Sequence, residues 1–178
     1  MKIIDLGIGV AGIKWTHIED DRGSLDRIWD SSLFDDLNEF KQISIIKNLE
    51  EGTLRGLHFQ IKPFEESKLI SCIRGKIFDV LVNIDPDSLN FGQKVCVEIS
   101  PTGNINALKV PKGFAHGYLT LEKDSHILYL TDNVFSSDHA KGISWNDPEL
   151  NIPWPREINR ISLRDSQMPN WKEYFEKL

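Results

Sequence analysis

Arg55 and His58 stand three residues apart in Leu54-Arg55-Gly56-Leu57-His58-Phe59-Gln60, a cation and an imidazole inside an apolar, strand-like run. An imidazole can take or give a proton near neutral pH, and a guanidinium grips oxyanions. A second segment answers the first: Pro111-Lys112-Gly113-Phe114-Ala115-His116-Gly117-Tyr118. In a regular strand, residues three apart face opposite ways. Arg55 and His58 therefore share a concavity only if the strand bends between them, and Gly56 has the backbone freedom for that bend. Taken singly, His58 and His116 are each more often core histidines with satisfied hydrogen bonds than catalytic ones. His17 and His139 lie in polar surroundings typical of a surface, and His126, opening a strand, fits either setting.

The elements that must position these residues are mostly strands. From Gln42 onward, short apolar runs alternate with turn residues: Ile43 to Ile46, Leu54 to Gln60, Lys68 to Ile73, Lys76 to Ile84, Lys94 to Ile99, Ala107 to Val110, Gly117 to Leu121 and His126 to Thr131. Phe78, Val80, Val82 and Ile84 alternate with Asp79, Leu81 and Asn83, the pattern of a strand with one strongly buried face. Arg74-Gly75 reads as a tight turn and Asp85-Pro86-Asp87-Ser88 as a longer connection. Strands that follow strands without helices between them predict an all-β, antiparallel sandwich or barrel. Helices are expected only at the periphery. Leu33, Phe34, Leu37 and Phe40 recur at helical spacing between Ser31 and Phe40, and Trp171, Tyr174, Phe175 and Leu178 mark one face of a C-terminal helix that should pack on the barrel exterior. Gly7-Ile8-Gly9-Val10-Ala11-Gly12 matches the dinucleotide fingerprint, but that mechanism needs a helix to begin at the loop. Ile13 to Ile18 shows no helical period before the turn signal Asp20-Asp21-Arg22-Gly23, so the stretch reads as a glycine-softened edge strand.

The 178 residues are expected to form one domain, 1–178, large enough to bury a core without disulfides or a structural metal. Apolar residues make up 40% and charged residues 27%, and no apolar run approaches the length of a membrane span. Asp5 interrupts the apolar start and no small-residue cleavage site follows, which argues against a signal peptide and for the cytoplasm. Cys72 and Cys96 stand far apart and read as small buried hydrophobes rather than as a metal or redox site. A net charge of -6 disfavours non-specific nucleic-acid binding, while a few local cations suffice to hold a small anion.

Pro111-x-Gly113-x-x-His116 resembles the second motif of the cupins, small jelly-roll barrels of which many bind a metal. The first metal-binding half would supply two close histidines and a carboxylate, whereas here only His58 is present, so a metal site is not expected. A more specific resemblance covers most of the chain, from about Asp21-Arg22-Gly23 to Asp165. Leu54 to Gln60, Lys68-Leu69, Gly75-Lys76-Ile77-Phe78-Asp79-Val80, Pro111 to Gly117, Tyr129 with Thr131-Asp132, and Trp145-Asn146-Asp147-Pro148 resemble, in order, the dTDP-4-dehydrorhamnose 3,5-epimerases. That resemblance implies a metal-free, cofactor-independent jelly-roll, commonly dimeric, acting on a nucleotide-linked 4-keto-6-deoxyhexose in deoxysugar and cell-surface carbohydrate synthesis.

The residue types suit that chemistry, because a proton on a carbon beside a ketone leaves its charge on the carbonyl oxygen and a neutral histidine can accept it. By resemblance His58 is the base, Asp165 the carboxylate that orients it, Lys68 the cation near the enolate oxygen and Tyr129 the acid that returns a proton to the opposite face. Inversion needs two faces and hence two groups. Arg22, Arg55, His116 and Arg164 match substrate-holding positions, the cations suiting a diphosphate, and the segment around Arg22 is expected to reach the neighbouring subunit. The chain departs from the family with Arg27 and Ala140 where acids are common, and with Ile43-Ser44-Ile45 in place of a polar stretch, whose contacts are then not expected. Asn133-Val134-Phe135 stands where a tyrosine pair is usual, with Phe135 able to restore an aromatic face. The nucleobase, the sugar and the choice of C3, C5 or both therefore do not follow from the resemblance. Its alternatives are a single-centre epimerase or a 3,4-ketoisomerase on the same barrel, a metal-dependent cupin oxygenase, and a sugar-binding module without catalysis. Tyr129 favours epimerisation over isomerisation, and a binding module has no need of His58, Asp165 and Tyr129 together.

Overall fold

The computed structural model describes residues 1–33 and 39–176. Its strands are β1 (Lys2–Asp5), β2 (Ala11–Lys14), β3 (Thr16–Asp20), β4 (Gly23–Arg27), β5 (Gln42–Asn48), β6 (Leu54–Gln60), β7 (Lys68–Arg74), β8 (Ile77–Asn83), β9 (Lys94–Ile99), β10 (Ala107–Val110), β11 (Phe114–Thr120), β12 (Ser125–Thr131) and β13 (Ala140–Gly142). Two short helices follow, α1 (Leu163–Ser166) and α2 (Trp171–Phe175). A six-stranded sheet runs β1-β2-β10-β7-β12-β5 and a five-stranded sheet β13-β6-β11-β8-β9, with β3-β4 as a separate hairpin. The pairings of the named strands are antiparallel, giving the all-β antiparallel sandwich that the strand pattern predicts, in the cupin-like jelly-roll form that the resemblance implies.

The core lies between the two sheets. Ile70, Cys72, Leu108, Val110 and Ile127 from the larger sheet pack with Ile77, Leu81, Ile99, Phe114 and Tyr118 from the smaller. The outer face of the smaller sheet is also covered: Leu57, Phe59, Val80 and Val82 pack beneath Ile143, Leu150 and Trp171. This corrects the expectation of one buried face for β8, since Val80 and Val82 are as fully buried as Leu81. The C-terminal helix makes the difference. Asn170 and Glu173 close a capping box at its start, Asp147 accepts from the Trp171 N–H at 2.5 Å, and Trp171 packs on Phe91 and Phe175. Leu178, assigned to the same face, lies outside the described residues.

Other boundaries move for local reasons. Gly7-Ile8-Gly9 is the left-handed turn of the β1-β2 hairpin at the sheet edge, with φ of 84°, 49° and 87°, and no helix begins there. Strand β11 begins at Phe114, three residues before the expected Gly117, because Ala115 and His116 already pair with Val82 and Leu81 of β8. Of the helix expected over 31–40, only a 3-10 turn at Ser31–Leu33 is seen, and the rest falls mainly outside the described residues. No helix among the described residues is long and apolar enough to cross a membrane.

Gly56 supplies the bend that the sequence demands. His58 pairs with His116 and Arg55 with Tyr118, so β6 spends one more residue than β11 over the same span, which is a bulge. Gly56 adopts φ of 125°, and a Cβ there would lie 2.4 Å from the Cα of Gly117. Two glycines thus meet back to back, and the extra residue restores the parity that turns Arg55 and His58 to the same side.

Candidate active site

Both sheets line a cavity of about 270 Å³. Strand β6 contributes Arg55 and His58, β11 His116 and Tyr118, β7 Lys68, β12 Tyr129 and Thr131, β5 Gln42, Ser44 and Ile46, and α1 Arg164. His58 and Tyr129 therefore stand on opposite sheets across one cavity.

His58 Nε2 lies 2.8 Å from Asp165 Oδ1, on a side chain that is 6% exposed. Asp165 sits in the single turn of α1, where Ser162 caps the helix by accepting from the Asp165 N–H at 3.0 Å. Gly56 N–H donates to the other carboxylate oxygen, so the bulge that turns His58 also ties down its partner. Burial pushes the Asp165 carboxyl upward, but the hydrogen bond and charge of His58, with the Gly56 N–H, outweigh it and hold the group below the ordinary 3.8. An ionised Asp165 accepting from Nε2–H leaves the lone pair on Nδ1, the arrangement of a base with a fixed tautomer.

Tyr129 is half buried, with its hydroxyl 3.4 Å from His116 Nδ1. Burial above all, then the Tyr118 hydroxyl and the Asp79 carboxylate, against the opposing effect of Arg55, raise the Tyr129 hydroxyl well above 10.0. Tyr129 is therefore protonated across the neutral range. His116 Nε2 lies 2.9 Å from Asp79 Oδ2, with both residues buried. Lys68 is 3.0 Å from Glu66, and only 9% of its side chain is exposed. Arg55 Nε donates to Asn48 Oδ1 at 2.9 Å, and the Asn48 amide donates to the Tyr118 hydroxyl at 3.2 Å. Arg164 lies at the exposed rim, where its guanidinium reaches Ala140 O at 3.5 Å. With Lys141, the lining carries four cations against the single carboxylate of Glu66, a cationic mouth on a chain of net charge -6.

Seven of the eight residues singled out from the sequence meet around this cavity: His58, Lys68, Tyr129, Arg55, His116 and Arg164 line it, and Asp165 backs His58. Arg22 does not. It lies at the exposed tip of the β3-β4 hairpin, paired with Asp20 at 2.5 Å. The Ile43-Ser44-Ile45 departure is milder than expected, because alternation turns only Ser44 of the three into the cavity, where Gln42 donates to it at 3.3 Å. Ile43 and Ile45 point outward, 64% and 55% exposed. Phe135 and Ala140 both reach the lining. The sequence reading passed over Asp79 and Asn48. A lone acid inside the apolar run of β8 was the signal for Asp79, whereas Asn48, at the polar end of β5, gave none. Among the described residues no group of three or more His, Cys, Asp or Glu is gathered to hold a metal ion, and Cys72 and Cys96 are both free thiols. Burial drives the Cys72 thiol up to about 12.

Four likenesses to known proteins bear on this site. The family model described as dTDP-4-dehydrorhamnose 3,5-epimerase matches residues 8–173. A dTDP-4-dehydrorhamnose 3,5-epimerase of Sinorhizobium fredii is 42% identical over 120 residues, 67% of this chain and 61% of that protein's length. Among solved structures, the Bacillus anthracis dTDP-4-dehydrorhamnose 3,5-epimerase with TDP and PPi bound superposes with a TM-score of 0.89 at 36% identity, covering 95% of this chain and 98% of the other. The Legionella pneumophila dTDP-6-deoxy-D-glucose-3,5-epimerase in complex with dTDP-4-keto-L-rhamnose superposes with a TM-score of 0.87 at 30% identity, covering 95% and 92%.

Proposed function

Because this chain belongs to the dTDP-4-dehydrorhamnose 3,5-epimerase family and so to the isomerase class of enzymes, we propose that it inverts the carbons flanking the C4 ketone of a dTDP-linked 4-keto-6-deoxyhexose. This is a step of dTDP-rhamnose synthesis. The observation that carries the reading is that His58, backed by the buried Asp165, and Tyr129 face one cavity from opposite sheets. In this reading His58 Nδ1 takes the proton beside the ketone. The charge left on the ketone oxygen falls within the field of Lys68, and Tyr129 delivers a proton to the other face. Asp165 stabilises the imidazolium formed in between. Arg55, Arg164 and His116 hold the substrate, with the two guanidiniums on its diphosphate. TDP and dTDP-4-keto-L-rhamnose bound to the two solved relatives support this substrate class. No cofactor is called for, because both protons move between side chains and substrate.

We further infer that residues 1–178 act as one unit within a homodimer, in the cytoplasm, a setting that suits two free thiols. Ile18 and Leu25 face each other across the β3-β4 hairpin at 54% and 56% exposure, apolar side chains on an otherwise polar projection. A second copy that covers them would carry Arg22 to its partner's cavity. The test is to incubate the dTDP-linked 4-keto sugar with enzyme in heavy water and follow deuterium at C3 and C5 by NMR. Wild type should exchange and invert, His58→Asn should exchange at neither centre, and Tyr129→Phe should exchange with retained configuration. Exchange by wild type at neither centre would end the epimerase reading.

A further inference from the structure

His116 and Asp79 form a second His-Asp pair, deeper than the first. Asp79 is 0% and His116 4% exposed at the side chain, against 39% for His58. Asp79 Oδ1 is buried with no hydrogen-bond partner, and His116 is the side chain that hydrogen-bonds the other carboxylate oxygen. A carboxylate so placed calls for a cation beside it. The far nitrogen of His116, Nδ1, faces the Tyr129 hydroxyl at 3.4 Å, a long contact of the kind that tightens when a substrate fills the site. The three groups are thus in series from core to cavity: Asp79, His116, Tyr129.

This arrangement matters because inverting two centres asks the same acid to act twice. After Tyr129 has given up its proton, its oxygen is an anion in a site whose burial disfavours that form. A substrate held in the cavity that Tyr129 lines would stand between its hydroxyl and bulk water. We propose that the Asp79–His116 pair is the proton store that reloads Tyr129 between the two inversions of one catalytic cycle. The inference rests on the epimerase reading above. In the first inversion the Tyr129 O–H bond breaks as the carbon–hydrogen bond forms. His58, 39% exposed at its side chain, gives the proton it took to solvent and regains its Nδ1 lone pair, while the His116 Nδ1–H bond breaks as the Tyr129 O–H bond forms again; the second inversion consumes that proton. Asp79 keeps accepting from Nε2–H throughout, so the ring gives up only its Nδ1 proton, and bulk water refills it after product leaves. Asp79 touches no substrate and acts as a positioning residue through His116.

Asp79→Asn tests this, since it keeps the shape and the acceptor for Nε2–H but removes the charge that holds a proton on the ring. In heavy water the variant should carry out its first inversion near the wild-type rate, while the ratio of singly to doubly inverted product rises on the order of tenfold. A purely structural role would instead slow both inversions together, and an unchanged product ratio in the folded variant overturns the store. Nitrogen-15 NMR of histidine-labelled, unmodified enzyme gives a second readout that depends on no variant. His116 should hold protons on both nitrogens before substrate is added, and a bare Nδ1 in that state overturns the proposal. If wild type inverts one centre only, there is no second proton to supply and the store falls while the epimerase reading survives in single-centre form. If wild type exchanges at neither centre, both fall.

Discussion

Asp165 has two tasks, and they separate on substitution. Its carboxylate fixes the His58 tautomer and also pairs with the imidazolium, so Asp165→Asn keeps the side chain's shape while the amide can present either its oxygen or its nitrogen to Nε2. We expect kcat to fall by roughly 10²–10⁴-fold with KM little changed, measured by steady-state turnover of the keto sugar. Stability should follow the carboxylate's lowered pKa. A depressed carboxylate contributes stability that is fully present above its unfolded value of about 3.9 and is lost as pH falls through the folded value. Urea unfolding of wild type and Asp165→Asn should therefore show a wild-type advantage at neutral pH that shrinks below about pH 4. An advantage that grows with acidity would contradict the pairing. At this scale the sequence was informative wherever a charged or imidazole group interrupted an apolar run, as at Arg55, His58 and His116. Asn48 escaped because its task, bridging the Arg55 guanidinium and the Tyr118 hydroxyl, joins residues distant in sequence.

The elements were legible in proportion to how far burial shapes their pattern. Strands β6, β9 and β10 have the bounds that their apolar runs predict, because each has residues sealed inside the sandwich. The β3-β4 hairpin went unread beyond its turn, since nearly all of its residues are exposed and no alternation of burial marks it. Helix α1 was missed because one turn is too short for a period, although Ser162 followed three residues later by Asp165 is a capping signal. Helix α2 was found, and its role goes beyond covering the exterior: Trp171 closes the outer side of the sheet that holds His58, packing with Phe59 and Val82 in one apolar cluster. Trp171→Ala should cost about 3–5 kcal/mol in urea unfolding. Turnover per folded molecule should stay close to wild type, because Trp171 lies on the face of the sheet away from the cavity. A selective loss of turnover at unchanged stability would mean that the helix shapes the site directly.

At the scale of the molecule, Arg22 is the piece that one chain leaves outside its own cavity, and the proposed dimer gives it a place. Arg22→Ala and His58→Asn should each be inactive alone. After the two are mixed, unfolded and refolded together, half of the dimers are hybrids with one intact site, so about a quarter of wild-type activity should return. No recovery, with dimers present by sedimentation, would remove Arg22 from the neighbouring site. The two-glycine contact of the fold bears on how such an enzyme can change. Because Gly56 and Gly117 leave no room for a side chain at either position, the crossing that aims the base is closed to substitution at both. The facing wall has no such lock: Ser44, Ile46 and Thr131, with Phe135 beside them, meet the cavity as ordinary side chains. New sugars are therefore to be reached by changing Ser44, Ile46, Thr131 and Phe135 around Lys68 and Tyr129, which stand on the same side and keep the proton chemistry, so a lineage built on this barrel diversifies in what it accepts before it diversifies in what it does.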